Sequence, residues 1–342
     1  MIATSPAPRL GAIALVTSRD GKRALVAWSD PSGLRTALVD VRTGRPGSAN
    51  VVHEGGATAL AAARDGDGWR LAVVVPDDPK GGGGGAAMLS LAPDGTVRSR
   101  EPLGPAGERS ADIALLLGGR GWVAAWHDGS PGASRVHTWS AGALGSAPVD
   151  AGRAGFAPSL ARDGDEVAIA WSELASNADG VASVVRVAQI RGNGSVGAPK
   201  DVAFAMVEDP DPVLFHAREL LRVVFRDKED PRGKNAYYVA DARPNAQRYR
   251  VSRADGTRSP SVATCHGTLA AATIRTFQTE FLIGFNRFDL RGNKNGGELQ
   301  IYSDGVHFAE ASLACLPEGY VLAYAEQGTQ SRVLFNRATC AR

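Results

Sequence analysis

The apolar residues of this chain fall in short runs of about five to eight, alternating or continuous, bounded by Gly, Asp, Asn and Pro. No long stretch repeats apolar residues at the i, i+3, i+4, i+7 spacing of an amphipathic helix. The pattern predicts strands from end to end. Asp-Gly pairs separate such runs at Asp20-Gly21, Asp65-Gly66, Asp94-Gly95, Asp163-Gly164 and Asp255-Gly256. This pair tolerates the positive φ of a tight hairpin, so each occurrence predicts two antiparallel neighbours.

One run recurs. RALVAWSD (23–30) returns as AVVVPD (72–77), GWVAAWHD (121–128), EVAIAWSE (166–173), LRVVFRD (221–227), LAAATIRT (269–276) and YVLAYAE (320–326). Aligned on Trp28, Val75, Trp126, Trp171, Phe225, Ile274 and Tyr324, the spacings are 47, 51, 45, 54, 49 and 50 residues. Seven units at that period account for all 342 residues. A period of this size is how a propeller appears in sequence. Each unit reads as four strands; in the fourth they are Pro158–Arg162, Glu166–Ser172, Ala182–Ile190 and Pro199–Phe204. A four-stranded sheet cannot bury both faces alone, and radial stacking buries them. The last unit has room for three strands, Ala311–Leu316, Tyr320–Glu326 and Arg332–Arg337, so Ile2–Thr4 is expected to supply its fourth. The expected fold is an all-β, seven-bladed β-propeller of four antiparallel strands per blade, closed by its terminal strands. It forms one domain over 1–342, with blades near 9–56, 57–108, 109–155, 156–208, 209–257, 258–308 and 309–342 plus 1–8.

The endings Val26-Ala27-Trp28-Ser29-Asp30 and Ile169-Ala170-Trp171-Ser172-Glu173, the second preceded by the hairpin Ser159-Leu160-Ala161-Arg162-Asp163-Gly164, resemble the degenerate repeats of bacterial sialidase-like propellers. The resemblance spans the chain as architecture and is poor in motifs. Ser18-Arg19-Asp20-Gly21 starts like a sialidase Asp-box, but its Gly comes one position early and no Trp follows in place. Sialidase-type catalysis requires an arginine triad, a Tyr/Glu nucleophile pair and an acid/base Asp. No spacing here selects such a set.

Composition narrows the function classes. A net charge of +2 with 22% charged residues, and no Lys/Arg run, gives no case for a nucleic-acid partner. No apolar run approaches the roughly 20 residues of a membrane-spanning helix. The polar opening Thr4–Pro8 tilts the reading towards an exported chain whose leader is absent from this sequence, with a cytoplasmic protein as the other reading. A monomer without a cofactor is expected.

Three constellations could carry chemistry. Two positions after each aligned residue stand Asp30, Asp77, Asp128, Glu173, Asp227, Thr276 and Glu326. This acidic ring should share one face of the disc and could bind cations or sugar hydroxyls; such carboxylates also commonly hold their own turns. Nine positions before the aligned residues of the last three blades stand His216, Cys265 and Cys315, which could form a metal site near the axis. That spacing belongs to the repeat and not to a metal motif. A Cys315–Cys340 disulfide and unpaired buried thiols are the alternatives. The segment Asn286–Asn295, with Arg287 and Phe288, is longer than a hairpin needs and could contact a partner. The expected function is non-catalytic: a rigid disc presenting loops to a protein or carbohydrate partner. The alternative is an exported sialidase-like glycoside hydrolase using carboxylates on the loop-rich face.

Overall fold

The structure, a computed structural model, describes residues 1–5, 10–75, 84–105, 112–129, 134–141, 146–148, 155–175, 181–217, 219–229, 235–253, 261–265, 268–277, 280–289, 293–303 and 307–339. The chain opens with β1 (Ala3–Ser5). Blade 1 follows as β2 (Ile13–Thr17), β3 (Arg23–Asp30), β4 (Gly33–Asp40) and β5 (Asn50–His53). Blade 2 is β6 (Ala59–Asp65), β7 (Gly68–Val75), β8 (Gly85–Leu91) and β9 (Val97–Gly104). Blade 3 is β10 (Ile113–Gly118), β11 (Gly121–His127), β12 (Val136–Ser140) and β13 (Ser146–Pro148). Blade 4 is β14 (Gly155–Asp163), β15 (Glu166–Leu174), β16 (Ser183–Ile190) and β17 (Lys200–Ala205). Blade 5 is β18 (Val213–Ala217), β19 (Leu220–Lys228), β20 (Asn235–Asp241) and β21 (Arg248–Arg253). Blade 6 is β22 (Ser261–Cys265), β23 (Thr268–Phe277), β24 (Glu280–Asp289) and β25 (Leu299–Ser303). Blade 7 is β26 (His307–Leu316), β27 (Gly319–Gln327) and β28 (Ser331–Thr339), completed by β1.

These are seven antiparallel four-stranded sheets, the predicted seven-bladed propeller. The first strands touch one another in sequence, β2 to β6, β10, β14, β18, β22, β26 and back to β2. They therefore line the axis, and the fourth strands form the rim. Closure comes from both chain ends: Ala3, Thr4 and Ser5 pair with Val333, Arg332 and Ser331. Two side-chain bonds reinforce that seam, Thr17 Oγ1 to the Cys315 carbonyl at 2.9 Å and Gln327 Nε2 to the Leu10 carbonyl at 2.8 Å.

The described apolar core divides into seven clusters, each shared by two neighbouring blades. Second strands dominate them because both faces of a sandwiched sheet are covered; β3 is buried from its second residue on, and β15 from Val167 to Glu173. Trp28, Trp126, Trp171 and Phe225 are among the largest fully buried side chains and wedge the seams apart. Fourth strands alternate towards solvent, leaving Val51, Phe204, Leu299 and Tyr302 exposed. The Asp-Gly pairs behave as their chemistry predicts. Gly21 adopts φ 67° in the β2–β3 hairpin, where Asp20 Oδ1 accepts from Ser18 Oγ at 2.7 Å and from the Lys22 N–H at 3.0 Å. Asp255-Gly256 lies outside the described residues.

Candidate functional site

First strands begin, and second strands end, on the same face of the disc. On that face the axis opens into a cavity of about 560 Å³ lined by the opening residues of β2, β6, β10, β14 and β18 and by Glu310 of β26. Its charged lining residues are Asp112, Asp209, Asp211 and Glu310. A larger groove, about 680 Å³, lies on the opposite face beside Arg120, Asp163, Arg191 and Lys200. There Asp163 is bonded to Gln189, among hairpin turns that serve the blades themselves. The axial cavity holds the more unusual chemistry.

Asp211 is 6% exposed and adopts a left-handed backbone, φ 45°, immediately before Pro212. Ala157, before Pro158, sits in the same conformation at the equivalent place in blade 4, φ 49°. Such conformations cost energy for residues with a Cβ and persist where surrounding structure imposes them. Burial drives the Asp211 carboxyl well above the ordinary aspartate range; its hydrogen bond to Asp209 and the Asp209 and Asp112 charges push the same way, and Arg226 opposes them. Arg226 fixes this lip of the cavity. Its backbone N–H donates to the Pro210 carbonyl at 2.7 Å, and its guanidinium donates to the Asp209 carbonyl through Nε at 3.0 Å and Nη2 at 2.6 Å. Tyr237 pairs with Arg226 across β19–β20 and is 1% exposed; burial raises its phenol above the usual range. In blade 3, His127 Nδ1 lies 2.8 Å from the Gly129 carbonyl and Nε2 lies 3.3 Å from Asp112 Oδ2.

The acidic ring stands apart from this set. Asp30 Oδ1 accepts from the Ser32 N–H at 2.8 Å, and its Oδ2 lies 3.8 Å from Arg35. Asp128 accepts from the Arg135 N–H and from His137 Nε2, at 2.6 and 2.7 Å. Glu173 accepts from Trp171 Nε1 at 2.9 Å and Arg186 Nη1 at 3.2 Å. Asp227 accepts from the Met206 and Lys228 N–H groups and from Arg248. Glu326 pairs with Arg332 at 2.7 Å. These carboxylates tie second strands to turns and outer strands, Asp227 also reaching Met206 at the end of blade 4, and are not among the residues lining the axial cavity. Asp77 lies outside the described residues.

Two other expectations need correction. Phe288 does not project from a loop. Strand β24 extends to Asp289, and Phe288, opposite Leu269, is 1% exposed in the cluster between blades 5 and 6. Arg287 is half-buried in the same strand, opposite Ala270. The apolar character of Phe288 is that of a core residue, and the strand pairing that buries it is not local. Cys265 and Cys315 are joined to each other, Cα atoms 5.7 Å apart, linking the first strands of blades 6 and 7. That bond removes the thiolates that would have ligated a metal with His216, and replaces the Cys315–Cys340 pairing; Cys340 lies outside the described residues. Among the described residues no three His, Cys, Asp or Glu side chains are grouped to hold a metal ion.

Reading the repeat in the other direction would have reached the cavity. Asp112, Asp211 and Glu310 each stand fourteen residues before their blade's aligned aromatic, Trp126, Phe225 and Tyr324. The equal offset places all three at the mouth of their first strands. His127 and Arg226 directly follow two of those aromatics.

No protein-family model matches the chain, and no curated protein matches it either. Solved structures share its architecture. A hydrazine synthase structure from Kuenenia stuttgartiensis superposes with a TM-score of 0.58 at 13% identity, covering 99% of this chain and 97% of that one. The polysaccharide lyase Uly1 gives 0.55 at 10% identity, covering 96% and 90%. A neuraminidase-like protein of subtype N10 from a little yellow-shouldered bat influenza A virus gives 0.50 at 10% identity, covering 82% and 94%. At these identities the likeness is one of fold. The chain is a seven-bladed propeller whose resemblance to sialidase-like proteins holds at the level of architecture.

Proposed function

We propose that this protein is a non-catalytic binding propeller whose axial cavity receives the end of a glycan, or a side chain of a protein partner, that donates hydrogen bonds and carries no negative charge. The observation that carries this reading is the cavity's acidic lining: Asp112, Asp209 and Glu310 beside the Asp211 carboxyl, which burial drives towards its protonated form. Ionised carboxylates accept hydrogen bonds from hydroxyl and ammonium groups and repel anions. A sialic acid site needs converging arginines, whereas the guanidinium of Arg226 is turned onto the Asp209 carbonyl. No helix among the described residues is long and apolar enough to cross a membrane. Export fits the Cys265–Cys315 bond, since disulfides persist in oxidising compartments. Calorimetry with a glucosamine trimer, choline and sialyllactose tests the reading. The first two should bind and weaken in Asp112→Asn; binding of sialyllactose alone would overturn it.

A second reading, an exported glycoside hydrolase, is favoured by one observation. Burial drives Asp211 towards its protonated form beside the more accessible Asp112, and unlike carboxyl groups are what acid/base glycoside cleavage uses. Turnover of chromogenic glycosides that disappears in Asp211→Asn would establish it.

A further inference from the structure

The groove of about 680 Å³ on the face opposite the axial cavity is built on one turn of blade 4. That turn, Arg191–Ser195 between β16 and β17, is fixed by its own bonds. The Arg191 N–H donates to the Ser195 carbonyl and the Gly194 N–H to the Arg191 carbonyl, both at 2.8 Å. Asn193 Oδ1 accepts from the Ser195 N–H at 3.0 Å and from Ser195 Oγ at 2.7 Å. The exposed Arg191 side chain takes no part in this turn. A second arginine reaches the turn from blade 3. The β10–β11 hairpin packs Gly119 against blade 4, where an added Cβ would lie 2.9 Å from the Asp165 carbonyl. It sends Arg120 across, so that the guanidinium lies where a Cβ on Gly192 would stand. Absent side chains at Gly119 and Gly192 therefore set where Arg120 rests.

Arg120, Arg191 and Lys200 all line the groove, and their side chains hold no hydrogen bond or ion pair with any described residue. The neighbouring charges are spent on one another. Arg186 pairs with Glu173 and Asp201, and Arg222 and Arg243 both pair with Asp241. The groove also holds two carboxylates, Asp163 and Glu166. Asp163 accepts from Gln189 Nε2, and Gln189 Oε1 is buried with no partner. Val187, Ala188, Leu221 and Ala242 supply apolar surface between these groups.

Unpaired guanidinium groups take carboxylate or sulfate oxygens two at a time. Asp163 and Glu166 can only accept, which suits hydroxyl groups and opposes a bare anion. A neutral sugar would leave the three cations unused. We infer that this groove is a second binding site, separate from the axial cavity, for an acidic glycan: a hydroxylated ring bearing a carboxylate or a sulfate ester. The anionic group lies against Arg120 and Arg191, and ring hydroxyls donate to Asp163 and Glu166. A volume of about 680 Å³ falls within the ordinary range for small-ligand sites.

Calorimetry on the full chain in low-salt buffer, where exposed charges are least screened, tests this. The probes are trigalacturonate for the carboxylate, a κ-carrageenan tetrasaccharide for the sulfate ester, maltotriose as the neutral sugar and a thymidine tetranucleotide as a polyanion without the sugar pattern. One or both acidic sugars should bind more tightly than the other two probes, and the pair of arms tells carboxylate from sulfate. Arg120→Gln and Arg191→Gln should each weaken that binding about tenfold. Gly192→Ala should weaken it with no change of charge, by displacing the Arg120 guanidinium. Arg45→Gln, in the β4–β5 turn of blade 1, should leave it unchanged, as should Asp112→Asn in the axial cavity. Thermal melts verify that each variant is folded. Failure of both acidic sugars to bind, equal binding of maltotriose or the tetranucleotide, or unchanged affinity in any of the three blade 3 and blade 4 variants would overturn the site. Loss of binding in Asp112→Asn would move the sugar to the axial cavity and overturn it too.

Discussion

Replacing Trp171 by Ala tests whether the second-strand aromatics wedge the blades. Trp171 is 1% exposed and packs with Val123, Ala125 and Val136 of blade 3 and with Val167, Ile169, Ala188 and Ile190 of its own blade. A buried Trp removes about 150–250 Å² from water. At about 25 cal/mol per Å² that is ~4–6 kcal/mol. The methyl group that remains and the partial burial already present in the unfolded chain reduce it to ~3–5 kcal/mol. The lost bond from Nε1 to Glu173 Oε1 adds little, because Arg186 still donates to that oxygen at 3.2 Å. Trp171→Phe separates the contributions. It keeps most of the wedge, loses the hydrogen bond, and should cost about 1–2 kcal/mol. Urea unfolding followed by Trp fluorescence and far-UV circular dichroism measures both variants. A cost below about 1 kcal/mol for Trp171→Ala would mean that the ring does not fill the seam between blades 3 and 4.

Asp211 has a raised folded pKa, so its contribution to stability is intact below the unfolded aspartate value and is lost as pH rises towards and through the folded one. Asp211→Asn should therefore match wild type near pH 4 and exceed it at pH 8 in thermal melts; a variant less stable at pH 8 refutes this. Glu298 behaves oppositely. Burial would raise its pKa, but the bonds from Arg275, Gln300 and Asn286 outweigh that and lower it, so its stabilisation is present above the ordinary glutamate value and fades as acid approaches the folded one. Glu298→Gln should cost about 1.5–3 kcal/mol at pH 7, and the deficit should shrink in acid melts. The ion pair crosses β24 over Gly284, where an added Cβ would lie 2.5 Å from Arg275 Nη2 and 2.6 Å from Glu298 Oε1, so Gly284→Ala should destabilise as well. Reducing the disulfide, or Cys265→Ser, should cost about 2–4 kcal/mol. Non-reducing peptide mapping should join the Cys265 and Cys315 peptides, and a Cys315–Cys340 peptide would contradict the structure.

What the sequence determined by itself is whatever repeats. Alternating apolar runs, Asp-Gly turns and the recurrence of Trp28, Trp126, Trp171 and Phe225 dictate strands, hairpins and blades, because each depends on local backbone chemistry or on a face that every blade must bury. Even the borrowed closing strand was legible, predicted at Ile2–Thr4 and found at Ala3–Ser5, since a three-stranded last unit leaves an unpaired edge. The tertiary structure decided what breaks the repeat. Phe288 reads as a loop aromatic until Leu269 is placed opposite it, and Cys265 has no visible partner until neighbouring first strands are brought together. The axial cavity depends most on this step. Asp112, Asp211 and Glu310 lie about a hundred residues apart in sequence, and only the closing of seven blades about one axis lines them on one small volume, where burial raises the Asp211 carboxyl above its ordinary range.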